Sequence, residues 1–251
     1  MYKILEISTN WFQDNLYKSN ICKEYLYKRN LSYETIKYFK LGYSSNSKQT
    51  LYQFLKEQDF EDKELLESNV VKLDKNNKIR DFFYNRLMFP ITNEYGKIVG
   101  FGGRVLDSSN PKYINSPESD FFKKRNILYN LFNAKQTIRS KKNMLICEGY
   151  MDVISLYDKN IKTAVAPLGT SLTDNHLLLS WKYVNKPTLM FDGDTSGLKA
   201  SFKTAIMSLP YLTPSRLLQF VTLPNEYDPD TYINEYSLSK FATYLKNPIS
   251  I

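Results

Sequence analysis

The sequence predicts an α+β/α/β chain in two parts: helices and then an antiparallel sheet, followed by a four-stranded parallel sheet and a short helical C-terminal segment. Three observations predict it. Apolar residues recur at helical spacing over residues 1–68. The period changes to that of strands over 70–106. From residue 144 onward, short apolar runs alternate with helical stretches or loops, the pattern of α/β proteins. The boundaries fall at 1–140, 141–235 and 236–251.

In the first part, Tyr, Leu and Phe take helical spacing in Asn10–Tyr17 and again in Thr50–Leu55, which marks them as core rather than ligand contacts. Ser32, three residues before Thr35, opens a helix that should end near Leu41-Gly42, where Gly suits a C-terminal cap. Strands follow at 70–73, 86–91 and 97–101, separated by the turn signals Asn76-Asn77 and Asn93-Glu94-Tyr95-Gly96. Residues 110–117 read as a loop and 128–140 as a helix. In the second part the strands are 144–147, 163–166, 188–191 and 217–221. A parallel sheet of this kind carries its site where the chain leaves the carboxyl ends of its strands.

The 251 residues are 42% hydrophobic and 15% aromatic, enough for one large core or two smaller ones. With 9 Gly and 10 Pro and no low-complexity tract, this is neither a linker nor a disordered chain. A formal charge of +8 suits a polyanionic partner. Two Cys and one His leave no means of building a zinc site and argue for a reducing compartment. Cys147 sits in an apolar run, and His176 reads as a surface or helix-cap residue. No apolar run approaches a membrane span and no signal peptide opens the chain, so a cytoplasmic protein with no membrane partner is expected.

Carboxylates follow three of the parallel strands: Glu148, then Asp192 and Asp194, then Asp228 and Asp230. Converging carboxylates repel one another unless a cation lies between them. Mg²⁺ answers that need, because it takes hard oxygen ligands and is commonly shared between one or two carboxylates and substrate phosphates. Gly149 and Gly193 beside these acids let backbone turn and approach a ligand closely.

Four strings carry a family resemblance. Glu148-Gly149-Tyr150-Met151-Asp152-Val153, Leu168-Gly169-Thr170-Ser171-Leu172-Thr173, Phe191-Asp192-Gly193-Asp194-Thr195-Ser196-Gly197-Leu198-Lys199-Ala200 and Asp228-Pro229-Asp230 closely resemble the Toprim domain of DnaG-type bacterial primases. Upstream, Arg86–Ile91, Gly100–Leu106 and Lys112–Glu118 resemble the amino-terminal subdomain of the primase polymerase core, as do Tyr25–Arg29 and Phe39–Tyr43. One departure is Lys124-Arg125, where the family often has Lys-Gly.

The resemblance implies a Rossmann-like Toprim subdomain and a DNA-directed RNA polymerase that makes short primers on single-stranded DNA from ribonucleoside triphosphates. It assigns Glu148, Asp192, Asp194, Asp228 and Asp230 as acids for Mg²⁺ or Mn²⁺, with Glu148, Asp192 and Asp194 central to catalysis. Asp152, Gly149 and Gly193 support them from behind. Arg86, Arg104, Lys112, Tyr113, Asn115, Lys123 and Lys124 fall to a basic groove for template and nucleotide. The full-length family also has a zinc-binding domain and a domain for the replicative helicase, neither of which is recognisable here. Two alternatives stay open: another Toprim enzyme of topoisomerase or nuclease type, and a non-catalytic single-strand-binding module.

Overall fold

The computed structural model describes residues 1–45, 49–169 and 171–251, in two compact units, Met1–Phe122 and Lys123–Ile251. The first unit opens with α1 (Tyr2–Lys18), which buries Ile4, Leu5, Trp11, Phe12 and Leu16. Ser8 and Thr9 share the buried side, and their hydroxyls donate to the carbonyls of Ile4 and Leu5, each at 2.8 Å, so both hydroxyls are matched. Ser19 caps α2 (Asn20–Lys28), and Ser32 caps α3 (Tyr33–Tyr38) by accepting the N–H of Thr35 at 3.2 Å.

The exit from α3 differs from the sequence expectation. Lys40, with φ 50°, makes the left-handed turn in place of glycine. Gly42 instead begins β1 (Gly42–Ser44), a strand the apolar pattern did not show. Its glycine answers to close packing, since a Cβ there would lie 2.4 Å from the Cβ of Phe12.

After α4 (Leu51–Lys56), opened by a Thr50–Gln53 capping box, and α5 (Asp62–Glu67), the chain turns through the hairpin β2 (Val71–Leu73) and β3 (Ile79–Asp81). Then come β4 (Arg86–Thr92), β5 (Ile98–Val105) and β6 (Tyr113–Asn115). The antiparallel sheet runs β1-β4-β5-β6. β6 lies inside the stretch expected to be loop; three residues are too few to display a period of two. Its register sets Tyr113 opposite Arg104 and Asn115 opposite Gly102. Phe12, Phe83 and Phe101 meet edge to face in the core beneath.

The second unit begins with a short 3₁₀ turn (Lys124–Asn126) and α6 (Leu131–Lys141). Leu131, Ala134 and Ile138 of α6 share one core with Ile146, Val165 and Leu189. The alternation then runs β7 (Leu145–Ile146), α7 (Tyr150–Asp158), β8 (Ala164–Val165), α8 (Asp174–Trp181), β9 (Thr188–Phe191), α9 (Thr195–Ser208) and β10 (Gln219–Thr222). It closes with α10 (Pro229–Glu235), α11 (Leu238–Lys246) and β11 (Ile249–Ser250). Sheet order is β11-β10-β9-β7-β8, with the four expected strands parallel. The carboxyl-terminal segment is thus not wholly helical, because β11 pairs antiparallel with β10.

From β7 the chain crosses to β8 on one side, and β9 lies on the other. The strand order therefore reverses between β7 and β9, where the open carboxyl ends leave a crevice. His176 is fully buried rather than on the surface, and it takes the expected cap role: its Nδ1 accepts the N–H of Thr173, the N-cap of α8, at 3.1 Å, and its Nε2 lies 2.9 Å from the Lys124 carbonyl, tying α8 to the 3₁₀ turn. No described helix is long and apolar enough to cross a membrane.

Candidate functional site

Glu148 leaves β7 and Asp192 leaves β9, the two strands that flank the crevice. Neighbouring strands stand about 4.8 Å apart, which brings these acids side by side. The N–H of Asp192 donates to Oε1 of Glu148 at 3.0 Å. The next strand, β10, leads into the turn that carries Asp228. Three adjacent strands thus deliver three carboxylates to one end of the sheet.

Electrostatics report the crowding. Burial pushes the Asp192 carboxyl up to about 7, and the charges of Glu148, Asp228 and Asp194 add to it. Glu148 is raised by burial and by Asp194 and Asp228, against the opposing hydrogen bond from Asp192. Asp192 Oδ1 is buried with no hydrogen-bond partner among the described residues. An oxygen so placed is costly unless something meets it, and a divalent cation would do so while discharging the repulsion. The donors are all hard carboxylate oxygens and fit an ion of the Mg²⁺ or Mn²⁺ kind. Among the described residues no three of them already enclose an ion. Mg²⁺ needs no such cage when waters and substrate phosphates complete its shell.

The other acids differ in how they are held. Asp194 caps α9, its Oδ1 accepting the Gly197 N–H at 2.7 Å, and Asp228 caps α10, its Oδ1 accepting the Thr231 N–H at 2.6 Å. Each keeps a second oxygen outside these caps. Asp230 is buried and turned toward α7: its Oδ1 accepts the Ser155 hydroxyl at 2.5 Å and the Asn234 amide at 3.0 Å. Asp152 is buried as well, accepting the Gly149 N–H at 2.9 Å, with its carboxyl pushed well up by burial and then by Asp228, Asp192 and Asp230.

The two glycines part company. At Gly193 a Cβ would come within 2.1 Å of the Pro224 carbonyl oxygen, so the approach of the 223–228 segment requires glycine. Gly149 has ordinary extended backbone (φ −133°), and a Cβ there would meet only Asp152 Oδ2 at 3.4 Å, so the sharp turn expected of it is absent. Thr170 lies outside the described residues.

The basic set is divided between the units. Arg86, Arg104, Lys112, Tyr113 and Asn115 belong to the first, Lys123 and Lys124 to the second. Arg104 is buried with its guanidinium over the rings of Tyr25 (4.9 Å) and Tyr113 (5.4 Å), and it donates to the Tyr113 hydroxyl at 3.1 Å. Its Nε is buried without a partner among the described residues. Lys112 and Lys123 are exposed, Tyr113, Asn115 and Lys124 half-buried. Arg86 departs from the groove expected of it: it is buried, and Nη1 donates to the carbonyls of Gly103, Pro111 and Lys112 at 3.1–3.5 Å, which employs it on the backbone instead. Arg125, where the family often has glycine, fits its 3₁₀ turn and lies 3.7 Å from Asp174.

Comparison with known proteins gives this arrangement a context. Residues 11–135 match the family model for the DNA primase catalytic core, N-terminal domain, and residues 142–216 match that for the Toprim domain. The E. coli primase catalytic core is 34% identical with a TM-score of 0.88, the match covering 99% of this chain and 80% of that one. This chain belongs to the DnaG-type primase family. A second solved member, a DnaG primase catalytic domain bound to single-stranded DNA, is 33% identical with a TM-score of 0.88, over 99% of this chain and 78% of that one. The DNA primase of Buchnera aphidicola is 36% identical over all 251 residues, which make up 44% of its length, so the chain spans less than half of that curated relative.

Within this family member, spacing alone missed one contact. Tyr25 carries the guanidinium of Arg29 (5.5 Å) as well as that of Arg104. The signal was available, since a residue pair four apart at a helix end shares a face. What no local pattern showed was the partner brought by β5.

Proposed function

We propose that this chain is the polymerising core of a DNA primase, joining ribonucleotides on a single-stranded DNA template by divalent-metal-dependent nucleotidyl transfer in the cytoplasm. The observation that carries this reading is the meeting of Glu148 and Asp192 at the switch point, with Asp192 Oδ1 buried and unmatched. In the reaction a ribonucleotide 3′-hydroxyl attacks the α-phosphorus of an incoming triphosphate and pyrophosphate leaves. Divalent ions, when bound, would make that hydroxyl more acidic and offset charge on the phosphates.

The chain's own residues do the positioning. Glu148 and Asp192 would hold the ions, with Glu148 aimed by the Asp192 N–H. Asp194 and Asp228 are oriented by their helix caps, so each presents its second oxygen from a fixed main chain. Asp230 and Asp152 sit deeper, Asp230 accepting the Ser155 hydroxyl and Asp152 the Gly149 N–H, so that each supports the outer acids through α7 and its N-terminus. Tyr25, Arg104 and Tyr113 form a stacked cationic platform suited to a base and a phosphate of the template, with Lys112 and Asn115 of the same unit as further contacts. The ribonucleoside triphosphates and a replicative helicase are partners this reading implies.

The test is primer synthesis on single-stranded DNA with four ribonucleotides and Mg²⁺ or Mn²⁺. Short RNA products are expected, lost in Glu148→Gln and Asp192→Asn while single-strand binding persists. Unchanged synthesis in both variants would overturn the assignment.

A further inference from the structure

Strand polarity gives the second unit two ends of opposite character. The acids stand where the parallel strands finish. The segments from which the chain enters those strands, 139–144, 158–163, 182–187 and 213–218, hold eight Lys or Arg and one acid, Asp158, which Lys159 meets at 3.4 Å. The whole chain has 34 basic and 26 acidic residues, so these four short segments carry nearly all of its formal charge of +8.

The sheet sets these cations in a row. Lys142 lies three residues ahead of β7, Lys162 two ahead of β8, Lys186 two ahead of β9 and Arg216 three ahead of β10. The Leu217 N–H donates to the Asn185 carbonyl at 2.9 Å, that of Thr188 to Met144 at 2.8 Å and that of Leu145 to Thr163 at 3.1 Å, which carries the ladder down to the entering segments. In sheet order the cations therefore run Arg216, Lys186, Lys142, Lys162. With strands about 4.8 Å apart the row is roughly 14 Å long. Lys142, Lys162 and Arg216 are exposed and Lys186 is half-buried, and none of the four forms an ion pair among the described residues.

What surrounds the row selects its partner. None of the large apolar side chains exposed among the described residues lies in these segments, so a protein partner would find no apolar anchor of the kind on which such interfaces depend. A nucleic-acid backbone needs none, because phosphate contacts with Lys and Arg supply its affinity. Two half-buried rings interleave with the cations: the Arg139 guanidinium lies 5.0 Å from the Tyr183 ring and the Lys162 ammonium 5.5 Å from that of Tyr157. Flat groups among phosphate-binding cations suit a strand whose bases are free to stack.

We infer that the strand-entry end of the second unit is a further track for single-stranded DNA, with Arg216, Lys186, Lys142 and Lys162 on neighbouring phosphates. The inference rests on the primase reading for the identity of the polyanion. The row and the acids lie at opposite ends of β9, which is four residues or about 13 Å long, so the template held here is the part outside the stretch being copied. The row belongs wholly to the second unit, whereas Tyr25, Arg104 and Tyr113 belong to the first.

The probe is a long labelled oligothymidylate bound to the whole chain across a salt series. A fourfold variant carrying Lys142→Gln, Lys162→Gln, Lys186→Gln and Arg216→Gln should lower the salt slope by about 3, since each phosphate contact on a single strand contributes roughly 0.7. Its Tm should stay unchanged. Lys142→Arg, Lys162→Arg and Lys186→Arg together should keep the wild-type slope. A second measurement needs no variant: bound oligothymidylate should shield Lys142, Lys162 and Lys186 of the wild type from acylation, read by mass spectrometry. A slope unchanged in the glutamine variant, or equal acylation with and without DNA, overturns the inference. So does an effect confined to an RNA–DNA duplex or to polyglutamate. If primers are made while the glutamine variant binds DNA normally, the track falls and the primase reading stands. If no primers are made while the slope still drops, the primase reading falls and the track stands.

Discussion

The main-chain N–H of Asp192 donates to Oε1 of Glu148 at 3.0 Å, while Oδ1 of the same aspartate is buried and meets no donor. One residue therefore steadies its neighbour and is itself left in tension. The fold keeps these acids together at the switch between β7 and β9 although their charges oppose it, so removing one charge should relieve the chain even as it removes the chemistry.

Asp192→Asn should accordingly raise metal-free stability at pH 8. A carboxyl raised from 3.8 to about 7 favours the fold while protonated, and that contribution is lost as pH rises through 7. Unscreened, the shift would correspond to about 4 kcal/mol; at a half-buried group, screening reduces this to about 1 kcal/mol, or a few degrees in Tm. The variant should match the wild type near pH 4, and Mg²⁺ should stabilise only the wild type. Thermal unfolding at both pH values, with and without Mg²⁺, decides it. A lower Tm for the variant at pH 8 would show that the acids are not in conflict.

His176 should give stability the opposite dependence on pH. Burial holds its imidazole below the usual histidine range, against the pull of the Lys124 and Ile127 backbone. The neutral ring is the folded form, so stability is full above the ordinary value of 6.5 and falls as pH drops below it. His176→Gln should remove up to about 1.4 kcal/mol per pH unit from the acid slope of unfolding. Denaturant titrations of both proteins from pH 7 to 5 measure the difference, and parallel slopes would exclude the histidine as the cause.

Gly193→Ala should disrupt the site through the main chain. The added Cβ would lie 2.1 Å from the Pro224 carbonyl, and the Gly193 N–H bond to the Tyr227 carbonyl, 2.9 Å long, would have to move with it. Overpacking against backbone costs about 1–3 kcal/mol and would displace the turn that carries Asp228. Loss of both Tm and primer synthesis is expected. An unchanged Tm would mean the turn yields freely.

The meeting of Glu148 and Asp192 was legible in sequence because each directly follows a buried strand, and neighbouring strand ends of a parallel sheet lie side by side whatever the connecting helices do. The close approach expected at Gly193 is made by the Leu223-Pro224 backbone rather than by a ligand, a partner no local pattern displays. The short strands β1, β6 and β11 were not, since two or three residues cannot express a period and pairing supplies what local pattern lacks. Nor was the fate of Arg86 readable, because a basic residue bound to carbonyls 17 to 26 positions away has the same local sequence as one facing a phosphate. Long-range partners, rather than residue type, separated the roles of the two buried arginines.

That separation yields a last prediction. Arg86 and Arg104 are equally buried, each 8% exposed, yet one bonds the main chain and the other lies between two tyrosine rings. Arg86→Ala should leave carbonyls unpaired and cost about 2 kcal/mol of stability, with little change in how single-strand binding responds to salt. Arg104→Ala should weaken binding and reduce the salt slope by about 1, because a cation that meets phosphate releases a counterion when it binds. Arg104→Lys keeps the charge but lacks the flat face the tyrosines grip, so it should restore the slope without the full affinity. Tyr25→Ala should behave like Arg104→Lys, since it loosens the arginine and leaves the charge. Fluorescence anisotropy of labelled single-stranded DNA across a salt series, paired with unfolding curves, distinguishes these cases. Equal salt slopes for Arg86→Ala and Arg104→Ala would show that neither side chain reaches the template.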